Sequence, residues 1–159
     1  MKYLFLTLFI FTFYNSTAQS ILVSDMLKIM SLNDSEIEVF LNDKGCVVDR
    51  VDQSDAVETT KYYNYKERYW VGISNYKEGC KIVHSDFENT NFYNLQKKEV
   101  VKLDFKYLQK NITNQKTAGD GTKYDSIEYV YVKGKTKVSF YTNIFQTRIQ
   151  YEIAISTCN

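Results

Sequence analysis

The only histidine of this chain is His84. It stands in Val83-His84-Ser85-Asp86, three adjacent polar groups of the kinds that build a nucleophilic triad. The segment reads as a strand, and neighbouring side chains of a strand point to opposite faces, so Ser85 cannot meet His84. His84 is therefore expected to be a half-buried, hydrogen-bonded side chain at an inward position. A thiolate–imidazole pair with Cys80 fails on length: four residues of extended strand span about 13 Å. One histidine and three scattered cysteines also miss the spacing of a zinc site. Two acids flanking a sugar bond must stand about 5 Å or about 6.5–9.5 Å apart across a cleft. Asp49, Asp52, Asp55, Glu36 and Glu38 instead fall in a helix cap and a turn. Gly119-Asp120-Gly121-Thr122 has neither the P-loop lysine nor the calcium-loop glutamate and reads as a hairpin tip. These residues predict no catalytic group, no metal and no cofactor, and hence no enzyme.

The aromatic set Tyr62, Tyr63, Tyr65, Tyr69 and Trp70 is the best candidate for binding. Alternation along strands must put some of these rings on a solvent face, where rings with a polar tip serve as contact residues. The competing expectation is that the tyrosines fill a core and its rim.

Elements must position these groups, and composition says which. The chain has 14 Tyr, 10 Phe and no proline. Such a chain is folded and rich in strand. Ser24-Asp25 begin a helical stretch carrying Met26, Leu27, Ile29 and Met30. It is broken near Leu32–Ser35 and resumes through Ile37, Phe40 and Leu41 until Gly45, a natural stop. Capping boxes are available at Asn33/Glu36 or Ser35/Glu38. Strands are expected at 46–51, 61–65, 69–75 and 81–85. A helix capped by Asn89 or Thr90 should run to about Glu99. Val101, Leu103, Phe105 and Tyr107 alternate with polar residues and predict a strand, followed by a polar loop over 109–123. Strands 126–132 and 137–142 flank the turn Lys133-Gly134-Lys135, and alternation over 147–156 closes the chain.

The order repeats: helix, then four strands, twice. Leu41 matches Leu95, Lys66 matches Lys133, Val71 and Ile73 match Val138 and Phe140, and Ile82 matches Ile149, with the loop 109–123 as the insertion. The expected fold is α+β and two-layer, an antiparallel sheet with helices on one face and a tandem αββββ duplication. Its halves are 19–85 and 86–159.

The αββββ-αββββ order resembles that of β-lactamase inhibitory protein, whose two tandem units hold another protein on a concave sheet. That family's helix-start motif and its cysteine pairs within each repeat are absent here, so none of its contact residues carries over. Phe92-x-x-Leu95 and Leu41-Asn42-Asp43-Lys44-Gly45 also look like small exported bacterial proteins of unassigned function.

Lys2, an apolar run from Tyr3 to Phe13 and Ala18 before Gln19 form the three regions of a signal peptide over residues 1–18. The run is too short to span a membrane. Export places the chain in the periplasm or outside the cell, an oxidising space where three cysteines give one disulfide and one thiol. If the fourth strands of the two halves pair antiparallel, Cys80 opens one and Cys158 closes the other. A Cys80–Cys158 bridge is then expected, with Cys46 left as a buried thiol. Without Lys2 the chain carries 19 basic and 19 acidic residues in alternating sign. That argues against nucleic acid and anionic membranes, and no membrane insertion is expected once the signal is removed. The expected function is a non-enzymatic hold on a protein partner through the aromatic sheet surface. A carbohydrate- or envelope-binding module and a small hydrolase with an unrecognised site are the alternatives.

Overall fold

A computed structural model of the protein describes residues 21–158. The expected leader and its cleavage site lie outside the described residues. Helix α1 (Val23–Ser31) and helix α2 (Asp34–Asp43) precede four strands: β1 (Val47–Gln53), β2 (Val57–Asn64), β3 (Tyr69–Tyr76) and β4 (Cys80–Phe87). Helix α3 (Thr90–Lys102) leads into β5 (Lys106–Thr117), β6 (Lys123–Lys133), β7 (Thr136–Ile144) and β8 (Ile149–Cys158). All eight strands join in one antiparallel sheet of order β1-β2-β3-β4-β8-β7-β6-β5. The chain is thus α+β. The two four-strand meanders meet at β4 and β8.

Local chemistry explains the helix ends. The Asn33 side chain accepts from the Glu36 amide while Glu36 accepts from the Asn33 amide, so the capping box is Asn33/Glu36. The Asn89 side chain caps α3 through the Phe92 amide. Asp25 sits in the first turn of α1 and accepts from the Leu22 amide. Helix α2 ends where Gly45 turns left-handed at φ 76°.

One core cluster unites these elements. Val23, Met26 and Ile29 of α1, Ile37 and Leu41 of α2, and Tyr93 and Val100 of α3 pack with Val71, Ile73, Val83, Phe140, Ile153 and Ile155 of the sheet. Fully burying each aliphatic side chain contributes about 1.5–3 kcal/mol. Two polar side chains fix α1 to this core. The buried Gln96 accepts from the Val23 amide at 2.7 Å, and the Lys81 ammonium donates to the Ile29 and Leu32 carbonyls at 3.0 Å each.

Two expectations for the second half are corrected. Residues 101–102 belong to α3, and Val101 is exposed. The alternating pattern there also has helical spacing, because Gln96, Val100 and Leu103 recur at i, i+4 and i+7. The expected polar loop 109–123 is mostly β5. It is an edge strand with neither face well buried, so it carries lysines, amides and two bulges instead of alternating apolar residues. The loop shrinks to the hairpin tip 118–122, where the Asp120 carboxylate accepts from the Thr122 amide. Leu95, matched to Leu41 on sequence, is exposed whereas Leu41 is buried.

Cys80 and Cys158 lie directly opposite each other in the β4–β8 ladder and form a disulfide, with Cα atoms 4.2 Å apart. Cys46 is a buried thiol whose Sγ donates to the Tyr69 hydroxyl at 3.4 Å. Replacing both bridged cysteines with serine should cost about 2–5 kcal/mol, since the bridge closes a loop of sequence separation 78. Urea unfolding of the double variant beside the oxidised protein measures this. An unchanged midpoint would show that the bridge adds nothing.

Candidate functional site

Strand alternation divides the sheet into the face that joins the core and an opposite, open face. On β4 the core takes Val83 and Phe87, and the open face takes His84 and Asp86. Residue pairing then draws a line straight across the open face. Tyr63 on β2 pairs with Trp70 on β3, Trp70 with Asp86 on β4, and Asp86 with Glu152 on β8. Glu152 pairs with Tyr141 on β7, Tyr141 with Glu128 on β6, and Glu128 with Asn111 on β5.

The aromatic end of this line contains three of the five rings singled out from sequence. Tyr63 lies 4.5 Å from Trp70 at an interplanar angle of 40°, and 4.7 Å from Tyr65 at 86°. Tyr65 is 68% exposed and Trp70 36%. Tyr62 and Tyr69 point the other way and are buried in the core, so they leave the candidate set. Charges of both signs border the rings. The Asp52 carboxylate holds Arg50 at 2.9 Å and Lys61 at 3.7 Å.

Beside Trp70 is a cavity of about 310 Å³ lined by Asp49, Arg50, Lys61, Gly72, His84 and Asp86. Gly72 lies directly across from His84 in the β3–β4 ladder. A Cβ on Gly72 would collide with the Nε2 and Cε1 atoms of the His84 ring. Glycine is therefore required here so that the imidazole can lie across the neighbouring strand. The repeat offset that matches Ile82 to Ile149 sets His84 against Tyr151, and the inward placement of His84 expected from it is corrected. Tyr151 belongs to the core face, whereas His84 lines the open cavity and pairs with Ala154. The separation of His84 from Ser85 holds, since Ser85 is 1% exposed on the core side.

The middle of the line is a carboxylate pair that sequence reasoning missed. Asp86 and Glu152 face each other across the β4–β8 seam. Directly opposed residues place their Cβ atoms about 4.5–5.5 Å apart. Burial and then the Asp86 charge push Glu152 up to about 7. Burial raises Asp86 as well, although Gln150 donates to it at 3.2 Å, and burial lowers His84. Glu128 behaves differently. Burial acts to raise it, but Asn111 at 2.8 Å, Ser139 at 2.7 Å and Tyr141 at 2.9 Å all donate to it and hold it below the ordinary range. No group of three or more His, Cys, Asp or Glu side chains fit to hold a metal occurs among the described residues. No described helix is long and apolar enough to cross a membrane.

Two outcomes follow. Gly72→Ala should destabilise by about 1–3 kcal/mol, as overpacking does. Adding His84→Ala should recover most of that loss, because the Cβ then has room. Non-recovery in a double-mutant cycle would remove the ring as the cause. The second concerns pH. Because Glu152 and Asp86 are raised, the folded chain keeps protons that the unfolded chain has lost between the ordinary carboxylate range and about pH 7. Their contribution to stability therefore falls as pH rises through that window. His84 acts in the opposite sense, weakening the fold as pH drops below 6.5. Glu152→Gln should flatten the decline toward neutral pH and gain stability at about pH 8. Urea midpoints across pH check this, and a variant curve parallel to the wild type would rule out Glu152 as the source. Compared with protein-family models, curated proteins and solved structures, the chain matches none.

Proposed function

We propose that this is an exported, non-enzymatic binding protein that holds a protein partner on the open face of its sheet. One observation carries the reading: Tyr63, Tyr65 and Trp70 meet at angles of 40° and 86° among Arg50, Asp52 and Lys61. A platform for sugar rings is a coplanar aromatic row. Non-coplanar aromatics mixed with arginine and both signs of charge suit a protein interface. A carbohydrate- or envelope-binding module is disfavoured by the same angles.

Export rests on the leader pattern of residues 1–18, and a disulfide suits that compartment. The finer architecture belongs to the same proposal: two layers, with helices on one face, built from a tandem αββββ unit. Its support lies at the helix ends. The Cys46 amide donates back to Leu41 across left-handed Gly45, and the Phe105 amide donates back to Val100 across left-handed Asp104. Each device opens a four-strand meander, and the two meanders are mirrored in the strand order.

A small hydrolase is the second reading. The opposed Asp86 and Glu152, with Glu152 near 7 and His84 close by, favour it. Hydrolysis of nitrophenyl glycosides or esters that is lost in Glu152→Gln would replace the binding reading.

Capture from envelope extracts, run beside a glycan array, tests the first reading. A specific protein should be retained, and Tyr63→Ala with Trp70→Ala should weaken its binding by about 30-fold, as loss of an aromatic anchor does. The array should stay blank. Undiminished capture by the double variant, or a glycan signal that depends on Trp70, would overturn it.

A further inference from the structure

A second cavity, of about 610 Å³, lies on the core side of the sheet, away from Trp70, His84 and Asp86. Its volume falls in the range of small-molecule sites. Phe87 of β4, Phe92 and Leu95 of α3, and Ile21 supply apolar walls. Phe87 and Phe92 meet edge to face at 5.0 Å, which fixes two of those walls. Ser85 of β4 also lines the cavity.

Ser85 is the informative residue. It is 1% exposed, and its hydroxyl makes no hydrogen bond among the described residues. Its ladder partners are Val71 and Ile153, both fully buried, so the strand surroundings ask for an apolar side chain. A buried hydroxyl without a partner weakens a fold, and a bound group that hydrogen-bonds to it would remove that cost. The mouth adds a constraint on charge. Arg68, Glu67 and Glu88 line the cavity, and Lys66 pairs with Glu67 at 3.9 Å, so the charges cancel and no net field there favours a charged ligand.

We propose that this cavity binds a small uncharged amphiphile. Its apolar ring or branched body sits among Phe87, Phe92 and Leu95, and one carbonyl or hydroxyl group hydrogen-bonds to the Ser85 Oγ. The site is separate from the partner face, so it stands or falls independently of that reading.

The test uses the chain beginning at Gln19 and the fluorescent reporter N-phenyl-1-naphthylamine. Three competitors of similar shape are added: acetophenone, ethylbenzene and benzoate. Acetophenone should displace the reporter best, with ethylbenzene and benzoate each weaker by about tenfold, the scale of one lost hydrogen bond or one unmatched charge. Ser85→Ala should erase the advantage of acetophenone over ethylbenzene and raise the Tm, because the orphan hydroxyl is gone. Leu95→Arg, at an exposed wall position, should abolish reporter binding with the Tm unchanged. The proposal is overturned if the reporter does not bind, or if Leu95→Arg leaves binding intact. It is equally overturned if Ser85→Ala keeps the acetophenone preference or lowers the Tm, which would make the hydroxyl a structural group.

Discussion

The β4–β8 ladder is the one non-local pairing that joins the two meanders, and its register decides what the open face contains. Cys80 and Cys158 occupy opposed positions at one end of that ladder. Six residues further along each strand, the same register sets Asp86 against Glu152. A slip of one residue would turn every side chain of one strand to the other face, exposing Ile153 and Ile155 and burying Glu152 in the core. Hydrophobic alternation therefore forbids odd slips. A two-residue slip keeps the faces, and the covalent bridge excludes it. The carboxylate pair, its raised titration and the continuous line from Tyr63 to Asn111 all follow from that constraint.

The open face is polar in a graded way. At the β6 end, every carboxylate oxygen of Glu128 is supplied with donors, so the charge is stable. At the seam, Asp86 and Glu152 share too few donors and repel each other, so they compete for a proton. At the β2–β3 end the rings are exposed and the nearby cations are already paired with Asp52. A positive or hydrogen-bonding group laid near the seam would relieve the repulsion between these two carboxylates. Rings next to a poorly solvated carboxylate pair are thus a more specific surface than the aromatics alone.

Much of this was legible in the residues. The helix break at 32–35, the Gly45 stop, the hairpin at Gly134 and the disulfide were readable because each rests on a local rule: a cap, a left-handed turn, or strand ends that meet. The strand β5 was not readable, because an edge strand with two wet faces has no apolar period. Residues 96–103 satisfied two periods at once, and helix won because Val100 has the core to enter. The aromatic set could be named, but sequence alone could not say which rings faced out. Parity alone separates Tyr63 and Trp70 from Tyr62 and Tyr69, and fixing parity needs one certain core residue. The Asp86–Glu152 pair was within reach. Once Cys80 is set against Cys158, counting inward gives it. Its chemistry is not legible from acids close together in sequence, because the two carboxylates meet only through the β4–β8 pairing.

The same division of faces explains how three cysteines yield one bridge and one buried thiol. Cys80 and Cys158 lie on the open face of the seam, at strand ends where an oxidant can reach them. Cys46 lies across the sheet in the core, beside Tyr69 and Asn64. Burial raises its thiol more than the hydrogen bonds to Tyr69 and Asn64 and the Lys44 charge lower it. Thiol–disulfide exchange proceeds through the thiolate, so a raised and buried Cys46 is a poor attacker on the Cys80–Cys158 bond. Either wrong pairing would have to pull Cys46 out of the cluster formed with Leu41 and Tyr69, undoing the turn that launches β1. Correct pairing is therefore enforced by the core rather than by cysteine spacing, and the register that the bridge pins is protected by the same packing.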